Sequence, residues 1–131
     1  DARLTCELDE NVTVLADCNY LSEALYNLLT NAWEANVEAG HGDRPIRLSS
    51  SRERLYVVLE VRDEGCGMTK AEQKKIFEPF YSSKNSNTSW GMGLYHVRTI
   101  VRAHVGSLRV ESKPGRGTSF FVLLPKYVQD R

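Results

Sequence analysis

Hydrophobic residues recur along the chain with two different spacings. Alternation of apolar and polar residues over 4–8 and 12–15 predicts two short strands. A helical spacing then predicts a long helix over residues 20–38, capped by Asp17 or Asn19 and ended by Gly40 and Gly42. The apolar positions of this helix lie on one face and are Leu21, Ala24, Leu25, Leu28, Ala32 and Ala35.

The same reading predicts a sheet and two further helices in the rest of the chain. Residues 46–48 and 55–61 are expected to pair across a polar connection, and 107–111 with 118–124 to form a last hairpin. Thr69 and Glu72 form a capping box that opens a short helix reaching Ile76 or Phe77. Another helix is expected over 94–103, with Gly106 as its stop.

The predicted strands and helices neither alternate strictly along the chain nor fall into separate groups. They therefore predict an α+β fold, a two-layer α/β sandwich in which one mixed sheet packs under one layer of helices. The chain has 131 residues, which is the length of a single domain spanning residues 1–131.

The composition disfavours several classes of protein but does not identify a ligand. Lys and Arg number 17, as do Asp and Glu, so the formal net charge is 0, which argues against a nucleic-acid partner. No apolar run approaches the ~20 residues of a membrane span. Three cysteines without metal-ligand spacing favour a reducing compartment, with Cys6 and Cys18 as small core or strand residues and Cys66 in a loop.

Two asparagines interrupt the long helix beside its apolar face. Asn27 and Asn31 are four residues apart, so they share a side of the helix with Glu23 and Glu34. One such asparagine is most simply a solvated residue. For a stacked pair beside the core we favour a polar site, because neutral carboxamide oxygens suit Mg²⁺ that keeps most of its waters.

Two further patterns carry candidate chemistry. Asp63 follows a buried strand and precedes Gly65 and Gly67, which is typical of a plain turn but also of a carboxylate that accepts hydrogen bonds from an exocyclic amine. Gly91 and Gly93 precede a helix whose free amides attract phosphate. The polar residues between 82 and 89, which include Lys84, predict a loop.

The order of these motifs resembles the ATP-binding domain of sensor histidine kinases, a member of the GHKL ATPase superfamily. NLLTNA at 27–32 resembles the N-box of that family, DEGCGM at 63–68 the G1 box, FEPF at 77–80 the F-box and GMGL at 91–94 the G2 box. GRGTSF at 115–120 and the following Leu124-Pro125 are similar to the family's last hairpin.

The resemblance implies the GHKL fold, with ATP and Mg²⁺ as ligands. It implies that Asn31 binds Mg²⁺, with Asn27 as a second ligand or a supporting group. Asp63 is expected to accept the adenine amino proton, Gly67 to let the base approach, and Lys84 to reach the phosphates. The nucleotide-binding residues implied in this way are Asn31, Asp63, Gly65, Gly67, Lys84, Gly91, Gly93, Leu94 and Thr118.

The resemblance also implies a reaction. It is phosphoryl transfer from ATP to a histidine on a separate helical dimerisation domain of the same protein, followed by relay to the receiver domain of a response regulator in the cytoplasm. None of His41, His96 and His104 is followed by the acidic residue expected after a phospho-accepting histidine. The acceptor is therefore expected outside this chain, with Phe80 and Tyr81 as candidate contacts to its domain.

Departures from the family pattern concern the G2 box and the N-box. Ser89 replaces the first glycine that is common in the G2 box, and Trp90 follows it. Glu34 and Asn36 stand where a basic residue often follows the N-box. Alternative functions are a serine kinase of the anti-sigma-factor type and a non-catalytic nucleotide-binding module. A chaperone or mismatch-repair ATPase is disfavoured because such proteins need long additional domains.

Overall fold

The computed structural model describes residues 3–79 and 93–127, which form a sheet and three helices. The strands are β1 (Arg3–Glu7), β2 (Pro45–Arg52), β3 (Tyr56–Arg62), β4 (Ser107–Ser112) and β5 (Thr118–Pro125). The helices are α1 (Cys18–Glu38), α2 (Lys70–Lys75) and α3 (Gly93–Ala103).

The five strands form one mixed sheet in the order β1-β2-β3-β5-β4. β1 runs parallel to β2, and the other neighbouring strands are antiparallel. The central strands β3 and β5 pair Val61 with Phe120 and Val57 with Leu124. Helices cover one face of this sheet, so the predicted two-layer α/β sandwich is confirmed.

The core lies between the sheet and helices α1 and α3. Alternation along β3 and β5 directs Val61, Phe120 and Val122 to the helices, where Leu28 and Val97 are completely buried. Each such side chain stabilises the fold by roughly 1.5–3 kcal/mol through removal of apolar surface from water. The residues that alternate with these along each strand lie on the opposite face of the sheet.

Helix α1 begins and ends at residues suited to those positions. The Asp17 side chain accepts a hydrogen bond from the Tyr20 amide (3.1 Å), so the predicted cap at Asp17 is confirmed, although the helix starts at Cys18 rather than Tyr20. At the other end Gly40 has φ +77°; the amides of Gly40 and His41 donate to the carbonyls of Val37 (3.0 Å) and Asn36 (2.7 Å). The chain therefore leaves the helix through a left-handed glycine.

Helix α3 ends with the same hydrogen-bond pattern but a different residue. The amides of Val105 and Gly106 donate to the carbonyls of Arg102 (3.0 Å) and Val101 (2.9 Å), and Val105 has φ +62°. The left-handed residue is thus Val105, and the prediction that Gly106 supplies the stop is wrong. Gly106 is required for another reason: a Cβ there would collide with the carbonyl oxygen of Leu123.

Three predictions about the first half of the chain are corrected. Residues 12–15 form no strand in the described part of the chain; the Thr13 carbonyl accepts one hydrogen bond, from the Tyr127 amide (2.7 Å), instead of joining a ladder. Cys6 lies in β1 as expected, but Cys18 lies in α1, and all three cysteines are exposed. β2 continues through the serines to Arg52, because β3 pairs with it as far as Val57.

The remaining element predictions agree with the structure. The capping box of α2 is present, with Glu72 N to Thr69 Oγ1 at 3.1 Å and Thr69 N to Glu72 Oε1 at 2.9 Å, and Ile76 caps its C-terminal end. The last hairpin is formed by β4 and β5. Among the helices described, none has the length and apolar character needed to cross a membrane.

Candidate nucleotide-binding site

A buried carboxylate stands where β3 ends. Asp63 is 4% exposed, and its Oδ1 accepts hydrogen bonds from the amides of Gly65 (2.9 Å) and Thr118 (3.1 Å). Its own amide donates to the Thr118 carbonyl (2.9 Å). The loop after β3 and the first residue of β5 thus fix the direction of this carboxylate before any ligand arrives.

The glycines after Asp63 are required by close packing within the chain. A Cβ on Gly65 would lie 2.8 Å from the Cβ of Ala35 in α1. Gly67 combines φ +74° with a Cβ position that the carbonyl of Lys113 occupies. The loop is therefore pressed between α1 and the β4–β5 turn, and the approach of a base to Gly67 stays a prediction.

Asn36 holds this loop against α1, a role that the sequence reasoning missed. It is 1% exposed; its Oδ1 accepts from the Glu64 amide (2.7 Å) and its Nδ2 donates to the Arg44 carbonyl (3.3 Å). The Glu64 carbonyl accepts from Nδ1 of His41 (2.7 Å). The signal was present, because Asn36 continues the buried i, i+4 series of Ala24, Leu28 and Ala32.

Ser112 is a second residue that the sequence reasoning missed. Its hydroxyl accepts from the Met68 amide (2.8 Å), donates to the Gly117 carbonyl (2.9 Å) and contacts Thr118 Oγ1 (2.8 Å). Thr118 is buried and its amide binds the Asp63 carboxylate; its place in an adenine network stays a prediction. Ser112 therefore orients Thr118 and closes the far side of the loop.

The two asparagines of the N-box lie on α1, half-buried and one turn apart. One further turn towards the N-terminus, Glu23 Oε2 lies 2.6 Å from His96 Nε2 in the first part of α3. This contact places the first part of α3, which begins with Gly93 and Leu94, beside α1 at Glu23. That the asparagine carboxamides and the N-terminus of α3 serve one ligand stays a prediction.

Several predicted residues fall outside the described part of the chain. They are Lys84, Gly91, the predicted loop at 82–89, Ser89, Trp90, Phe80 and Tyr81. Of the F-box, residues 77–79 are described. The Phe77 ring meets that of Phe120 edge to face, with centroids 6.4 Å apart, and the Arg98 guanidinium lies 5.5 Å from its centre. Phe77 thereby joins the end of α2 to α3 and the sheet.

Known proteins share the sequence pattern of this chain. The sequence profile of the family described as histidine kinase-, DNA gyrase B- and HSP90-like ATPase matches residues 16–128. The chain is 38% identical over 121 residues to the signal transduction histidine-protein kinase AtoS of Escherichia coli, covering 91% of this chain and 19% of AtoS. It is 36% identical over 109 residues to sporulation kinase C of Bacillus subtilis, covering 83% of this chain and 24% of that kinase.

Solved structures have the same fold. The catalytic domain of the histidine kinase ThkA superposes with a TM-score of 0.80 at 29% identity, over 95% of this chain and 79% of that one. The mycobacterial sensor histidine kinase MprB superposes with a TM-score of 0.80 at 25% identity, over 95% of this chain and 82% of that one. The chain thus spans about a quarter or less of the two curated kinases and most of the two solved domains. It belongs to the histidine kinase-, DNA gyrase B- and HSP90-like ATPase family.

Proposed function

We propose that this chain is the Mg·ATP-binding catalytic domain of a sensor histidine kinase. It would transfer the γ-phosphoryl group of ATP to a histidine on a helical dimerisation domain of the same protein, on the cytoplasmic side, for relay to a response regulator. The observation that carries the proposal is the buried Asp63 carboxylate, which the amides of Gly65 and Thr118 orient. The similarity to AtoS and sporulation kinase C supports the kinase assignment within the family.

The residues present fit an adenine nucleotide. A carboxylate fixed in direction is an acceptor for an exocyclic amino group, and Thr118 supplies a hydroxyl beside it. Gly93 and Leu94 begin α3, whose amides and dipole favour phosphate oxygens. Base recognition and phosphate binding thus fall on different elements, β3 with β5 and α3.

The donor set of α1 fits magnesium. The carboxamide oxygens of Asn31 and Asn27 are hard neutral ligands, which Mg²⁺ accepts while keeping several waters. When bound, the ion would supply positive charge that neutralises the phosphates of the nucleotide. A carboxamide is not a proton acceptor, so neither asparagine activates water.

The chain's own contribution to the reaction is positioning. Asp63 and Thr118 hold the base, Asn31 and Asn27 the ion, and α3 the phosphates, so that the terminal phosphorus faces the incoming imidazole. The imidazole nitrogen forms the new P–N bond as the bond to the ADP oxygen breaks. A neutral histidine is already nucleophilic, so the lack of a general base at Asn27 favours transfer over hydrolysis.

A thermal-shift titration with ATP, with and without Mg²⁺, tests this proposal. A ligand at about 100 times its dissociation constant stabilises the folded chain by about 2.7 kcal/mol. We expect a saturable shift with Mg·ATP and a smaller one without Mg²⁺. Asp63→Asn keeps the oxygen that accepts from Gly65 and Thr118 but removes the charge, so it should fold and lose most of the shift.

Asp43→Asn is the matched control, since Asp43 is exposed in the loop after α1. It should behave as the parent chain. An Asp63→Asn variant with unchanged Mg·ATP binding would contradict the adenine contact, and absence of any Mg-dependent shift in the parent would contradict the proposed function.

A further inference from the structure

A cavity of about 340 Å³ adjoins the Asp63 loop on the side of the sheet that the helices do not cover. Arg47 and Arg62 line it from β2 and β3; their neighbours Ile46 and Val61 face the core, so these two arginines lie on the opposite face. Arg44 borders it before β2, and Arg116 from the β4–β5 turn. Four arginines from three parts of the chain therefore converge on one cavity.

Positive charge in this cavity is only partly balanced. Of the two carboxylates in the lining, Glu64 lies 3.4 Å from Arg44, and Asp63 accepts hydrogen bonds from the amides of Gly65 and Thr118 through Oδ1. Within residues 3–79 and 93–127, Arg47, Arg62 and Arg116 form no ion pair. The chain as a whole has a formal net charge of 0, so this excess is local.

Arg47 and Arg62 are direct cross-strand partners. Like charges opposite one another in a sheet lower its stability. The strand carboxylates that share this face are Glu7, Glu60 and Glu111, and none of them lines the cavity; Glu60 accepts a hydrogen bond from the Ser119 hydroxyl (2.7 Å). The pairing is thus unfavourable in the chain alone and becomes favourable when an anion lies between the two guanidinium groups.

The wall of the cavity is already held in place. The Glu64 amide is bound by Asn36 and its carbonyl by His41, at 2.7 Å in each case. His41 uses Nδ1 for this bond, and its ring also lines the cavity. A ligand would therefore meet an ordered surface, which reduces the entropy lost on binding.

We propose that this cavity binds a small organic or inorganic anion with two or more phosphate or carboxylate groups. The planar guanidinium fork binds both kinds of group through two parallel hydrogen bonds, and several arginines around one space select for multiple charges. The volume lies at the lower end of the range for small-molecule pockets. The arginines surround one cavity rather than following the sheet, which favours a small molecule over an extended acidic segment.

Calorimetric titration of the chain with inorganic diphosphate and, separately, citrate tests the proposal and distinguishes phosphate from carboxylate chemistry. The buffer is free of magnesium and has constant ionic strength. We expect saturable binding of at least one probe, and at least a tenfold loss of affinity in the double variant Arg47→Gln/Arg62→Gln, since hydrogen bonds to charged groups are lost. Arg109→Gln, on the same sheet face but outside the cavity, is the control and should bind as the parent does.

Backbone amide shifts in NMR spectra locate the bound probe. Shifts centred on Arg47, Arg62 and Glu64 support the proposal, whereas shifts centred on Gly93 mean that the probe occupies the nucleotide site and overturn it. The double variant removes a like-charge pair, so its melting temperature should not fall. If the double variant fails to fold, Arg116→Gln provides a second test of anion binding. Absence of saturable binding up to about 10 mM of either probe, or tighter binding of a poly-glutamate peptide than of both, also overturns the proposal.

Discussion

At the scale of single residues, Asn36 illustrates how a buried polar group decides the shape of the site. It occupies a core position of α1, where an unpaired amide would cost about 1–3 kcal/mol. Both ends of its carboxamide are used, one by Glu64 and the other by Arg44. The same side chain therefore stabilises the fold and fixes the loop that carries Asp63.

We expect Asn36→Ala to lower the free energy of unfolding by about 1–3 kcal/mol, because the Glu64 amide and the Arg44 carbonyl lose their partner. Urea unfolding followed by circular dichroism measures this change. Asn19→Ala is the control: Asn19 is exposed in the first turn of α1, and its replacement should change stability by no more than about 0.5 kcal/mol. Equal effects of the two substitutions would refute the role given to Asn36.

Asn27 is expected to favour phosphoryl transfer to a histidine over hydrolysis of ATP. In hydrolytic members of the superfamily that the sequence resembles, a glutamate at this position activates water. Asn27→Glu should therefore raise basal ATP hydrolysis by about a hundredfold or more, since a hundredfold is the lower end of what a general base contributes. Released phosphate measured at saturating Mg·ATP reports the rate.

Asn19→Glu places the same charge on the same helix two turns away and should leave the rate unchanged. A hydrolysis rate in Asn27→Glu no higher than in that control would refute this account of Asn27. Circular dichroism must first establish that the variant is folded, because its new carboxylate lies four residues from Glu23.

At the scale of elements, the ends of α1 and α3 offer a comparison within one molecule. Both helices close with the same pair of backbone hydrogen bonds, but α1 uses Gly40 and α3 uses Val105 as the left-handed residue. A branched side chain at positive φ is strained by about 1–2 kcal/mol. Val105 is 78% exposed, so it gains little from burial in return.

Val105→Gly should raise the free energy of unfolding by about 0.5–1 kcal/mol, which is the released strain less the larger entropy of an unfolded glycine. The corresponding rise in melting temperature is about 2–5 °C. Gly40→Ala is the opposite test: no atom lies within 4 Å of the added Cβ, so any loss of stability reflects backbone conformation alone. A lower melting temperature for Val105→Gly would refute the strain at Val105.

The elements also indicate where sequence patterns suffice and where they fail. Helix α1 and the β4–β5 hairpin were predictable because their apolar spacing and their turn residues agree. Residues 12–15 have the alternation of a strand, but a strand also needs a neighbour with free backbone groups, which no local pattern encodes. Gly106 has the position of a helix stop, yet the contact that requires it comes from Leu123 in β5, distant in sequence.

Some residues of the candidate site could likewise be predicted from a local pattern, and others could not. Asp63 could be predicted because it adjoins a strand and two glycines, a purely local arrangement. Ser112 could not, because its partners Met68 and Thr118 are brought to it by the folding of separate segments. The cavity beside Arg47 and Arg62 depends on strand register, which the polar run in β2 left undetermined.

At the scale of the whole molecule, the three histidines are all held by the fold. His104 accepts from the Asp17 amide through Nε2 (3.0 Å) and donates through Nδ1 to the Ile100 carbonyl (2.8 Å). His96 contacts Glu23, and His41 contacts the Glu64 carbonyl. Both ring nitrogens of His104 are engaged within the domain, and neither His96 nor His41 is followed by the acidic residue expected after a phospho-accepting histidine, so we expect the acceptor histidine on another domain.

Incubation of this chain with Mg²⁺ and γ-³²P-ATP should therefore yield no acid-labile phosphohistidine on the chain itself. When the histidine-bearing helical domain of the same protein is added, label should appear on that domain, because the catalytic domain then has a nucleophile whose nitrogen can approach the γ-phosphorus. Asp63→Asn, which removes the proposed adenine contact but not the fold, should abolish the transfer. Label on this chain that disappears in His41→Gln would contradict the expectation directly, because the cavity-lining His41 would then be an acceptor.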